Sequence, residues 1–412
     1  MTDLAPHSPL GGSSAYRWLP EPWGGGCEAS PTLAQGADDP ESEFAALGTA
    51  AHAVAADCLE NNRDAWEYIG KPALKPAQAE IEFSAFGFIT LVDKDMADAV
   101  QVYLDAIRSE YPERNQGNAW VERRFHVPKV HELFYGQLDF AHWQEDTARL
   151  HIWDYKHGAG IVVDVEQNPQ LMYYGVGALT DLALWDKVKE VVLWIAHPRG
   201  WHWAGPIRSW TITPRELFAW QHDVLIPAMN RVAAGSTKTR SGEHCRFCPA
   251  RFKACPQLLA DADELEELIM EMNKAGGAPH LTNEQVGRLL TLGESLKIAA
   301  KAARETGFVR AEKGATIPGW KLARARTNRE WKDGADKKAR REFGNQAFTE
   351  PALKSPAGID ALPKGSAFTT KHAFKPDGGL QLVPEHDPRQ KSGPGVKSMF
   401  KPAGKKPRQK KA

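Results

Sequence analysis

No apolar run in the sequence approaches the roughly 18 residues that a bilayer-spanning helix needs, so no membrane partner is expected. The opening MTDLAPHSPLGGSSAYRW lacks a basic start followed by an apolar stretch, which argues against a secretory signal and for a cytoplasmic location. Neither charge is in excess: 52 Lys and Arg balance 52 Asp and Glu. Global charge therefore announces no nucleic-acid partner, and any basic surface must be local. No G-x-x-x-x-G-K-[ST] loop is present, so no P-loop motor is expected. Cysteine is scarce, with five in 412 residues. Three of them, Cys245, Cys248 and Cys255, follow the spacing C-x2-C-x6-C, and in a reducing compartment such clustering suggests a metal before disulfides. No internal repeat is visible.

What is present is an ordinary soluble composition, 42% apolar and 25% charged, long enough for about two to three domains. Residues 1–40 are rich in Gly, Pro and Ser and read as loop. Apolar residues at helical spacing predict helices over 41–60 and 93–111. Strand-like runs follow at 119–127, 133–143 and 148–158. A helix over 169–182, a buried strand over 189–199 and a helix over 213–235 with a Thr cap complete the series. This order predicts an α/β (α+β) sheet domain. Helices are expected over 260–272 and 283–314. Beyond about 331 the periodicity weakens, and 391–412, rich in Lys, Arg, Pro and Gly without an acid, is expected to be a disordered basic tail. That tail is read equally as a solubilising terminus and as a non-specific phosphate-binding arm.

The chemistry concentrates in YGQLDF (135–140) and IWDYKHG (152–158). Each puts an Asp, Asp139 or Asp154, on a predicted strand. Lys156 lies two residues after Asp154 and so points to the same side. Two carboxylates on adjacent strands can hold a hard divalent cation, and a neighbouring ammonium can stabilise phosphate charge. A D-x-K tripeptide alone is common, and its bland reading is a strand-edge ion pair. The context is more specific: His52 lies upstream on a helix, Gly136 precedes Asp139 by three residues, and Gln170 and Tyr174 follow at i and i+4 on one helical face.

This ordered set resembles the RecB-type branch of the PD-(D/E)XK nucleases. The chain most closely resembles a group of phage and prophage proteins filed as a domain of unknown function with a RecB-like, CRISPR-associated-exonuclease-like core. SSAYRWL (13–19), GTAAH (48–52), DYKHG (154–158), NPQLMYYGVGAL (168–179), HCRFC (244–248), IPGWKL (317–322) and LVPEHDPR (382–389) carry that likeness. It implies a restriction-endonuclease-like mixed central sheet flanked by helices. Along the chain this places an N-terminal loop segment with a possible cluster cysteine over 1–40, the core ending in the cysteine segment over 41–258, a helical appendage over 259–330, a weakly structured region over 331–390 and the tail. It implies that His52, Asp139, Asp154 and the carbonyl of Tyr155 bind Mg²⁺ or Mn²⁺. Lys156 would be the catalytic lysine, with Asp139 and Asp154 completing the catalytic set. Gln170 and Tyr174 would position substrate or lysine, and Glu122 would stand just outside the ligands. Taken singly, His52 would more often be a plain surface or core histidine, and Tyr173 and Tyr174 plain packing aromatics.

In RecB-like relatives one upstream cysteine joins three downstream ones around a 4Fe–4S cluster. Cys27 is the only cysteine upstream of His52 and could complete that set. It sits later than the family pattern, whose position is taken here by Glu21 and Pro22. Zinc held by three cysteines plus His244 is the rival reading, and loss of the site a third. Cys58 reads as a buried small side chain. The expected function is a Mg/Mn-dependent deoxyribonuclease, an exonuclease above all, acting on DNA alongside phage recombination, repair or replication proteins. The alternatives are a catalytically idle DNA-binding protein on a nuclease scaffold and a nuclease subunit that needs a partner.

Overall fold

The computed structural model describes residues 8–37, 43–73, 91–112, 117–253 and 255–320. These lie in a compact unit reaching to residue 323. The expectations for residues 331–390 and for the 391–412 tail fall outside the described residues. Among the described residues, no helix is long and apolar enough to cross a membrane.

A five-stranded mixed sheet forms the centre, in the spatial order β1 (Ala119–His126), β2 (Tyr135–Gln144), β3 (Arg149–Tyr155), β4 (Glu190–Ala196), β5 (Ile207–Ile212). β1–β2, β2–β3 and β4–β5 are antiparallel, while β3–β4 is parallel. Parallel neighbours need a crossover, supplied here by a helix over Pro169–Asp181. Asn168 caps that helix, its side chain accepting from the N–H groups of Gln170 and Leu171, and Pro169 starts it with its φ already helical. The mixed α/β class expected from the sequence is what forms.

Nine α-helices are described and are numbered in chain order. α1 is Gly12–Trp18, α2 Ser30–Ala34, α3 Glu43–Asn61, α4 Lys94–Glu110 and α5 Pro169–Asp181. α6 is Pro214–Trp220, α7 Ile226–Ala233, α8 Pro256–Lys274 and α9 Asn283–Glu312. The sheet separates two apolar clusters. On one face Val54, Leu104 and Ile107 of α3 and α4 pack with Phe140, Trp153 and Tyr155. On the other, Leu171, Val176 and Leu179 of α5 pack with Trp18, Leu138, Ile152, Leu193 and Leu217.

Three sequence expectations need correction. Residues 1–40 contain α1, whose Trp18 is fully buried with its indole N–H on Ser14 Oγ at 3.1 Å. The Gly-, Pro- and Ser-rich surroundings hid a face short enough to need only Ala15, Trp18 and Leu19. A side chain at Gly12 would meet the rings of Tyr173 and Tyr174 at 3.1 Å, so a glycine lets α1 approach α5. The second correction is β5, an edge strand whose polar Arg208, Ser209 and Thr211 conceal its pairing with β4. The third is the helix over 213–235, which is interrupted by a π turn at Gln221–Leu225. Pro227 lacks an N–H and its ring crowds the carbonyl four residues back, and a wider turn relieves both.

β1 and β2 show an irregularity at mid-length. Residues two apart on a strand normally share a face. Yet Phe125 and Leu138 face α5, whereas Val121 and Phe140 face α3 and α4. The facing reverses at Glu122, which has φ +47 and is opposite Asp139 in the register, although the ladder is interrupted between them. The β2–β3 pairing also ends at Phe140↔Trp153, and beyond it the Asp139 side chain takes over, accepting the N–H of Tyr155 at 2.7 Å. The sheet therefore splits where the two acids stand.

Candidate metal centre

The split in the sheet opens beneath α3, which carries His52. Ligand atoms of His52, Glu122 and Asp139 all lie within 4.8 Å of one another, a spacing and donor set suited to a divalent cation. His52 Nδ1 is 3.5 Å from Asp139 Oδ1. Glu122 accepts a hydrogen bond from the Gln137 amide.

The electrostatics show three groups that shift one another strongly. Burial raises the Glu122 carboxyl to about 7, with the charge on Asp139 adding to the effect. Burial also disfavours ionised Asp139, but the His52 charge, the hydrogen bonds from His52 and Tyr155, and Lys156 hold it below the usual carboxylate range. For His52, burial opposes protonation, yet Asp139 outweighs it and lifts the imidazole to about 9. A cation at this point would offset the repulsion between the two carboxylates.

Asp154 stands next to this triad, close enough that Asp139 raises its pKa, although burial is the larger cause. Its oxygens are both engaged: Oδ2 with Lys156 Nζ at 2.8 Å and Oδ1 with Gln170 Nε2 at 3.0 Å. Lys156 also donates to Gln170 Oε1 at 2.9 Å, and Gln170 Nε2 donates to the Tyr174 hydroxyl at 3.0 Å. The i, i+4 placement of Gln170 and Tyr174 on α5 thus builds one connected network around the lysine. The Tyr155 ring lies on the other side, stacked on Tyr103 with centroids 5.1 Å apart and set edge-on to His52 at 5.4 Å.

Glu122 is the residue whose place the sequence reading understated: it joins His52 and Asp139 in the triad. The signal that could have found it is the β1–β2 hairpin register, which sets Glu122 opposite Asp139.

The cysteines form a second cluster. Cys27, Cys245 and Cys248 are buried and Cys255 is partly so. Burial pushes the Cys245 thiol up to about 12, and Cys248, Cys27 and Cys255 all contribute through their charge. Burial likewise raises Cys27, with Cys248 and Cys255 adding to it. Cys27 and the other three thus lie within electrostatic reach of one another, although among the described residues no three of their sulfurs gather within the 4.8 Å spacing of the acid–histidine triad. His244 is buried beside them, but its Nε2 donates to the Arg240 carbonyl at 2.9 Å. A Cβ at Gly25 would fall 2.0 Å from the His244 ring, so only glycine fits there. Cys58 is apart, buried on α3. 

The family model described as "Protein of unknown function (DUF2800)" matches residues 7–390, most of the chain. The protein is accordingly a member of the DUF2800 family.

Proposed function

We propose that the chain is a divalent-metal-dependent deoxyribonuclease of RecB type, an exonuclease serving phage DNA recombination, repair or replication. The observation that carries this reading is the His52–Glu122–Asp139 triad set against the partly buried Asp154–Lys156–Gln170 network. Mg²⁺ or Mn²⁺, when bound, polarises a water and compensates charge at phosphorus. His52, Glu122 and Asp139 are the residues that would hold it. Lys156 presents a fixed positive charge, oriented by Asp154 and Gln170, for the phosphate. Tyr174 holds Gln170 in place. The test is incubation of the purified full chain with end-labelled linear and circular DNA in Mg²⁺, Mn²⁺ or chelator. Metal-dependent shortening of linear DNA from its ends is expected. Binding without cleavage under every metal condition would overturn the enzymatic reading and leave an idle DNA-binding protein.

Tyr173 and Tyr174 lie about 100° apart around α5 and should separate cleanly. Tyr174→Phe removes a hydroxyl that touches the network and is expected to lower the cleavage rate several-fold with little change in stability. The Tyr173 hydroxyl instead donates to the Tyr135 carbonyl at 3.1 Å inside the core. Tyr173→Phe is expected to cost about 1 kcal/mol of stability and to spare the rate. Thermal melts and initial rates for both variants check this; a larger rate loss at Tyr173 contradicts it.

We also propose that the four cysteines hold a 4Fe–4S cluster, with zinc as the competing occupant, and that it acts as a staple. Soft thiolates suit iron or zinc and suit Mg²⁺ poorly, so the two metal sites are separate. The Cys27 segment comes before the catalytic strands and the other three cysteines after them, so ligation closes a long loop and converts binding energy into folding energy. Anaerobically purified protein is expected to be brown, absorbing near ~400 nm with about four irons. Cys248→Ser is expected to lower solubility and melting temperature more than the rate per folded molecule. A colourless protein with stoichiometric zinc would replace the cluster with a zinc staple.

A further inference from the structure

The β4–β5 loop exposes two indoles: Trp201 is 73% and Trp203 83% accessible. Next to them lies a groove of about 720 Å³, between residues 164–167 ahead of α5 and residues 202–204 with Ile207–Ser209. An exposed ring on its own is ordinary, but Trp203 also lines the groove, and aromatic surface beside a concavity is the usual setting of a binding site.

The groove is built in advance of any ligand. His202 Nδ1 accepts the Ala204 N–H at 3.0 Å, and its Nε2–H donates to Asp164 at 3.3 Å. Trp203 stacks on this fixed imidazole, with centroids 5.5 Å apart and ring planes 29° apart. Arg208, only 6% exposed, donates to the carbonyls of Gly205 at 3.1 Å and Val163 at 2.7 Å, tying the two walls together.

Its place in the sheet is informative. Asp154 pairs with Ile195, and Ile195 pairs with Arg208. The three residues occupy one row, and two strand spacings of about 4.8 Å separate Asp154 from Arg208 by about 10 Å. The groove thus adjoins the Asp154–Lys156 network along the same row.

The chemistry of the walls selects one part of a nucleic acid. Asp164 and Glu166 are exposed carboxylates. They repel phosphates but accept hydrogen bonds from the amino groups of bases. The cationic Arg208 is buried on backbone carbonyls. An aromatic platform with acceptor walls suits base faces and edges, and only unpaired bases offer their faces.

We infer that this groove, with Trp203 as its stacking platform, seats unpaired bases of a single-stranded nucleic acid whose backbone continues to the carboxylate site. The inference rests on the DNA reading above for the identity of its ligand. The test is anisotropy of a labelled mixed-sequence oligonucleotide binding the full-length protein in chelator. The single strand, its duplex and the same strand with abasic sugars are compared. Trp203→Ala is expected to weaken single-strand binding by about 5- to 150-fold, the range for loss of one base–aromatic stack. Trp203→Phe should recover most of it, the abasic strand should bind poorly, and duplex affinity should barely move. Single-strand affinity unchanged in Trp203→Ala, or an abasic strand bound as well as the normal one, overturns the proposal. Displacement of the strand by a neutral oligosaccharide would reassign the groove to sugar rings and overturn it too. Because chelator is present throughout, the outcome is independent of cleavage. Trp203-dependent binding by a protein that never cleaves sinks the nuclease reading alone, whereas cleavage with Trp203-independent binding sinks the groove alone.

Discussion

Exchanging the partly buried pair together, Asp154→Asn with Lys156→Met, is expected to lower metal-dependent DNA cleavage by about 10³-fold or more while the protein stays folded. Removing one partner alone would strand a charge: Asp154 is 2% exposed, and burial already raises its pKa. Breaking such a pair one-sidedly costs on the order of 3–5 kcal/mol, which would confuse loss of activity with loss of fold. The double exchange removes both charges and leaves an amide to receive Gln170. Far-UV circular dichroism and a thermal melt should then resemble the parent while the cleavage rate collapses. Full cleavage by the folded double variant would remove Lys156 and Asp154 from the chemistry.

Acid is expected to unfold the protein through two buried histidines of β2 and β3. His142 and His151 face one another across β2–β3, 4% and 3% exposed, and both rings pack against Tyr111. Burial lowers His142 to about 4, against a small opposing effect of Asp146. Burial lowers His151 to about 3, helped by His142 and Arg149. His151 is held neutral by geometry as well, since its Nδ1 accepts the Trp194 indole N–H at 3.1 Å. An unfolded histidine takes up its proton near 6.5, whereas these two do not until about 4 and 3. Between those values the unfolded state binds more protons, so stability is complete above about pH 6.5 and falls as pH drops towards 3. Each unit of difference is worth about 1.4 kcal/mol, so the pair accounts for several kcal/mol, comparable with the whole stability of a typical domain. His142→Phe is the probe. The ring stacks on Tyr111 with centroids 4.3 Å apart and its Nδ1 has no hydrogen-bond partner, so phenylalanine keeps the packing and removes the proton site. Denaturant melts from pH 7 to 4 should show a shallower decline for the variant. Parallel curves would mean that other groups govern the acid limb.

Much of the centre was legible in the chain because its parts are local. Asp154 and Lys156 share a strand face by alternation, and Gln170 and Tyr174 share a helix face by the i, i+4 rule. The structure confirms both juxtapositions as direct hydrogen bonds. Glu122 was harder to read because its position depends on how β1 registers against β2 across the 127–134 connection, and on a backbone reversal that alternation would not foresee. Cys27 was nominated only through the resemblance to RecB-like relatives, since more than two hundred residues separate it from Cys245 and no local pattern links the two. α1 and β5 were missed for a different reason. Each is short and draws its stability from what it packs on, α5 for one and β4 for the other, so its own composition is unconvincing.

The reversal at Glu122 sets selection for foldability against selection for function. A residue with a side chain held at φ +47 costs roughly 1–2 kcal/mol relative to glycine, which adopts that conformation freely. Its carboxylate adds a second burden, standing half-buried opposite Asp139 with its pKa raised to about 7. Under drift for stability alone, glycine at 122 would relieve both burdens at once, and the triad would lose one of its three side chains. A library sorted for heat resistance alone would therefore erode the triad first at this position, and, on the proposed nuclease reading, enrich variants that outlast the parent and cleave less.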